Sequence, residues 1–87
     1  MSVGTQFTGT LAANASRRWF THSWPQAWHV AWYCVPNSPT VDGPPQLEWK
    51  VQVCRQSTGL VKYFIEAKNL SAAPVTFQAR YAVLNDL

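Results

Sequence analysis

Apolar and polar residues alternate with a period of two along most of this chain, which is the pattern of strands with one buried face. The clearest case is Leu47 to Arg55. Leu47, Trp49, Val51 and Val53 fall on one side and are predicted to face in; Glu48, Lys50, Gln52 and Cys54 fall on the other. From Leu60 to Asn69, Val61, Tyr63, Ile65 and Ala67 face in, and Lys62, Phe64, Glu66 and Lys68 face out. From Pro74 to Leu84, Val75, Phe77, Ala79, Tyr81 and Val83 form the inward set. Phe7, Gly9 and Leu11 alternate with Thr8 and Thr10, after a patternless start at residues 1–4 that reads as a loose end. Ser16 to His22 is a further strand, with the Trp19 face predicted inward and Phe20 partly exposed.

The stretch from Trp19 to Pro36 holds four of the five tryptophans and both histidines. Pro25 lacks an N–H and cannot sit inside a central strand, so Ser23 to Ala27 reads as a turn, with a short 3₁₀ segment from Pro25 to Trp28. The strand that follows sets Trp28, Val30, Trp32 and Cys34 on one face and His29, Ala31, Tyr33 and Val35 on the other. Both faces are largely apolar, which predicts the most buried strand of the fold, its second face covered by a partner, a ligand or a loop. Pro36 to Gln46 holds four of the six prolines and reads as a loop stiffened by polyproline-type segments. Shorter turns fall at Ala12–Ala15, at Gln56–Gly59, with Gly59 suited to positive φ, and at Asn69–Ala73.

Six strands, short links and no helix longer than a turn predict one small all-β domain over residues 1–87. Sequential antiparallel pairing is favoured, and the expected architecture is a six-stranded antiparallel β-sandwich or barrel. The run from Tyr63 to Phe77, Tyr-x-Ile-x-Ala-x-Asn-Leu-Ser-x-x-Pro-Val-x-Phe, resembles the rhythm of immunoglobulin-like sandwich domains. That resemblance covers about a fifth of the chain and is shared by many unrelated sandwiches, so it implies a sandwich and no function.

Composition sharpens the picture. Charged residues are 13% of the chain, about half the usual share of ~25%. Aromatic residues are 14%, among them five Trp. A small core has limited room for rings that each bury about 150–250 Å². Low charge with surplus ring surface suits a subunit covered by copies of itself or by a partner. An uncharged surface of Ser, Thr, Gln and Asn is the plainer explanation. The net charge is +3, but the basic residues are scattered and only Arg17 and Arg18 are adjacent, so no nucleic-acid partner is expected. No apolar stretch approaches the ~20 residues of a membrane span. The start lacks the charged and apolar regions of a signal peptide, and the expectation is either cytoplasmic, for the chain as written, or exported by another route or in a precursor form.

Candidate chemistry is sparse. If strands three and four were ladder neighbours, Cys34 and Cys54 would lie ~20 Å apart, beyond disulfide reach, although a Greek-key crossing would change that. Cys34 reads as a small buried hydrophobe. Cys54, on an outward position, is a casual exposed thiol, a bond between subunits or an introduced handle. His22, His29, Cys34 and Cys54 have no recognised metal-ligand spacing. Asp42, Glu48, Glu66 and Asp86 form no carboxylate pair, so neither enzyme activity nor a cofactor is expected. Asn14-Ala15-Ser16 and Asn69-Leu70-Ser71 match the glycosylation pattern, but both read as turn chemistry.

Two functions compete. The first is a homo-oligomeric assembly domain whose contact uses Phe20, Tyr33 and Phe64. The second is a lectin-like module in which a glycan or small ligand stacks on the turn around Trp24 and Trp28, with Gln26, His22 and His29 bonding its hydroxyls.

Overall fold

The computed structural model describes residues 1–38 and 43–85. The strands are β1 (Ser2–Leu11), β2 (Ser16–Pro25), β3 (Val30–Ser38), β4 (Leu47–Ser57), β5 (Leu60–Asn69) and β6 (Val75–Val83). They form two three-stranded antiparallel sheets, ordered β1-β6-β3 and β2-β5-β4, packed as a sandwich. The predicted all-β sandwich is therefore the fold.

Pairing departs from chain order. Only β4 and β5 are sequential neighbours in a sheet. The central strands β5 and β6 lie in different sheets, joined by the turn after Asn69. Their alternation is as predicted: Ile65, Ala67, Val75, Phe77, Ala79 and Val83 are buried. Phe77 is the largest fully buried side chain, with Trp19 edge-on at 5.4 Å and Phe7 at 6.3 Å between ring centroids. Close approach matters here, because a Cβ on Gly9 would lie only 3.0 Å from the Phe77 ring.

Three expectations are corrected. The strand after the Trp-rich turn is not the most buried one. It begins at Val30, lies at a sheet edge, leaves Ala31 exposed, and Tyr33 and Val35 are only half-buried. The most buried strand is β6: like β5 it is flanked on both sides within its sheet, and none of its residues is exposed. Residues 2–4 are not a loose end: Ser2, Val3 and Gly4 pair with Val83, Ala82 and Tyr81. Backbone bonds hold that segment, so its side chains carry no pattern. Pro36 belongs to β3, opposite Phe77 beside a bulge, which an edge strand tolerates because Pro has no N–H to pair. The remainder of the expected proline-rich loop lies partly outside the described residues.

The turns follow local chemistry. Gly59 has φ 81° in the β4–β5 hairpin, as predicted, and Asn14 has φ 59° in the β1–β2 turn. Asn69 is buried at the β5–β6 turn, where its amide bonds the backbone of two turns. Its glycosylation pattern is therefore turn chemistry, as expected.

Candidate functional site

Three surfaces draw on the residues singled out in the sequence. The first is an aromatic cluster at one end of the sandwich. In a regular strand, Trp24 would share the outward face of Phe20 and His22. A bulge between Thr21 and Trp24, with Ser23 at φ 67°, inserts an extra residue and turns Trp24 inward. Its ring meets Trp32 at 5.1 Å, Tyr81 at 5.3 Å, Trp28 at 6.2 Å and Tyr63 at 6.3 Å, all edge-on. Its Nε1 donates to Thr21 Oγ1, which also accepts from Gln6. Burial pushes the Tyr63 phenol above its ordinary pKa. Trp28 closes a turn through its N–H to Pro25 O, in line with the tight segment expected there. The cluster mostly faces itself, with Trp28 its exposed edge. Gln26 is exposed and accepts from Arg55, while the exposed His29 donates its backbone N–H to Asn85 Oδ1.

The second surface is the outer face of the β2-β5-β4 sheet. Register sets Phe20 opposite Phe64 and Gln52 in one row, and Arg18 opposite Glu66 and Lys50 in the next. Phe20 is 65% exposed and lies 6.3 Å from Phe64 and 6.2 Å from His22. The Arg18 guanidinium sits 4.3 Å over the Phe64 ring and donates to Gln52. Lys50 pairs with Glu66 at 3.1 Å. A depression of about 330 Å³ beside them is lined by Ser16, Glu48, Trp49, Lys50, Glu66 and Lys68.

The third surface was hidden in the sequence as core. Trp49, Val51 and Val53 do share the inner face, since they oppose Ala67, Ile65 and Tyr63. Yet they are 40%, 39% and 58% exposed, because β4 is an edge strand that the facing sheet leaves largely uncovered. Alternation reports which way a side chain points and carries no signal of whether anything lies above it.

Of the candidate residues, Phe20, His22 and Phe64 thus share one face, and Trp24 and Trp28 share the cluster. Tyr33 lies apart, on the outer side of the other sheet opposite Arg80.

Strands β3 and β4 lie in different sheets and do not pair, so the assumed ladder between the cysteines is corrected. Both thiols are free, Cys34 buried and Cys54 exposed. Burial pushes the Cys34 thiol up to about 11. A thiolate-specific reagent at about pH 8 should count one fast thiol in the native protein and two in urea; two fast native thiols would contradict this burial.

Among the described residues, no group of three His, Cys, Asp or Glu side chains is placed to hold a metal ion. No helix there is long and apolar enough to cross a membrane. No family model, no curated protein and no solved structure matches this chain.

Proposed function

We propose that this chain is a non-enzymatic assembly domain that pairs with a second copy through the β4 edge. The exposure of Trp49, Val51 and Val53 on the uncovered flank of an eleven-residue edge strand carries this reading. Long edges with apolar flanks are templates for another strand, and soluble proteins usually blunt them with proline, charge or a covering loop. Here Glu48 and Lys50 lie on the opposite, outer face and Arg55 stands at the end of the row, so the inner flank stays apolar from Leu47 to Val53.

Register supports a two-fold pairing. With the axis at Val51, the strand sets Val51 against Val51 and Trp49 against Val53 of the second copy, while Lys50 meets Gln52. An axis at Lys50 opposes two like charges, and one at Gln52 sets Trp49 against Arg55. The first sets Leu47 against Arg55 at the end of the strand, but it alone of these keeps Trp49, Val51 and Val53 against one another without opposing like charges. Two sheets then merge into one of six strands.

The expected result is a solution mass above the single-chain 9.8 kDa at micromolar concentration. Val51→Lys, placing two ammonium groups at the axis, should weaken association about tenfold or more. The position is exposed in one copy, so the variant keeps its fold. A wild-type mass of one chain in light scattering would end this reading.

A further inference from the structure

We infer that the outer face of the β2-β5-β4 sheet binds single-stranded nucleic acid, with bases stacking on Phe20 beside Phe64 and phosphates held by Arg18, Lys62 and their basic neighbours. This stands apart from self-assembly, because it uses the face of the sheet and not the β4 edge.

The chain scatters its seven basic residues, but the fold collects them. Arg17 and Arg18 lie on β2, Lys50 and Arg55 on β4, and Lys62 and Lys68 on β5; Arg80 alone lies in the other sheet. Alternation and register set Arg18, Lys50, Lys62 and Lys68 on the outer face, where Glu48 and Glu66 are the acids. Four cations against two carboxylates leave this face with two net positive charges. The expectation of no nucleic-acid partner rested on linear scatter, and pairing distant strands removes that scatter.

Charge is interleaved with rings. Phe20 lies open on the sheet, with Phe64 and His22 beside it. Arg18 spans Phe64 and Gln52, so its guanidinium is held over the sheet, and one bond to Gln52 leaves other N–H groups for a phosphate. Lys62 borders the Phe64 row, Lys50 lies in the row of Arg18 across Glu66, and Lys68 lies in the row beyond. Aromatic rings on a basic surface are what unstacked bases and a phosphate backbone require together. Base stacking on an open ring such as Phe20 needs bases splayed out of a helix, so a single strand is favoured over a duplex. A neutral glycan would stack on Phe20 and accept hydrogen bonds from Arg18, but it would gain no charge–charge attraction from the cations. A second copy of this face would be repelled by them.

The test is fluorescence anisotropy with a labelled oligothymidylate of about fifteen nucleotides, with inorganic polyphosphate as the base-free competitor. Saturable binding that weakens with salt is expected, with thymidylate outcompeting polyphosphate. Phe20→Ala should weaken thymidylate binding about tenfold while leaving the thermal melt and polyphosphate binding unchanged. Arg18→Gln should weaken both polyanions. Absence of binding at low salt overturns the proposal. Equal competition by polyphosphate, with Phe20→Ala silent, also overturns it and leaves only a nonspecific anion surface, the outcome expected if the natural partner is an acidic protein.

Discussion

Asn69→Asp should destabilise the protein by at least about 3 kcal/mol at neutral pH. Asn69 is fully buried. Its Nδ2 donates to the carbonyls of Leu11 at 3.2 Å, Ala12 at 3.1 Å and Ala73 at 2.7 Å. Its Oδ1 accepts from the Ser71 backbone N–H and hydroxyl, both at 2.8 Å. Its own N–H reaches Ala15 O, and Asn14 N–H reaches Ser71 O. One side chain thus ties the β1–β2 turn to the β5–β6 turn across the sandwich. Aspartate keeps the shape but replaces the donor by an oxygen facing three carbonyl oxygens. Ionised, it is a buried charge among repelling dipoles; protonated, it has one O–H for three acceptors. Its folded pKa is therefore raised above the usual ~3.9, so the deficit is smallest below about pH 4 and grows as pH rises through the raised value. Urea unfolding at both ends of that range is the measurement. A loss under about 1 kcal/mol at neutral pH would show that the amide is not what joins the turns.

Phe77→Ala should cost about 3–5 kcal/mol. A chain of this length has roughly 4–13 kcal/mol in total, so the variant is expected to be largely or partly unfolded at room temperature. Phe77 is fully buried in the central strand of its sheet and receives the edges of Trp19 and Phe7. Gly9 lies directly against the ring, and a glycine has no side chain to swing into the space left behind. Removing the ring therefore leaves a cavity that its neighbours fill poorly. Phe77→Leu, which keeps most of the volume, should lose much less. A cost below about 1.5 kcal/mol for the alanine variant in urea unfolding would place the main core elsewhere.

Both residues were legible to different degrees. The inward position of Phe77 followed from alternation within one strand. Asn69 was recognisable as turn chemistry, but its bonds to Leu11 and Ala12 span 58 and 57 residues and were invisible. Ser23 to Ala27 was read as a turn because of Pro25, but β2 runs through Pro25, which its edge position tolerates; a bulge at Ser23 then turns Trp24 inward, and nothing in Ser-Trp-Pro announces a residue at positive φ. Phe20 was legible as exposed, since it alternates with Trp19 on a strand whose inner face was already assigned.

By itself, the sequence determined the strand class, most turn positions, the inward and outward sets of β5 and β6, and the opposite fates of Cys34 and Cys54. These are local properties, set by the period of two and by residues suited to tight turns. The tertiary structure alone decided that β3 is an edge strand, that the inward set of β4 has little above it, and that six dispersed cations meet on one sheet. Such outcomes depend on which distant strand arrives alongside or overhead. A strand's own side chains specify its faces but not its neighbours.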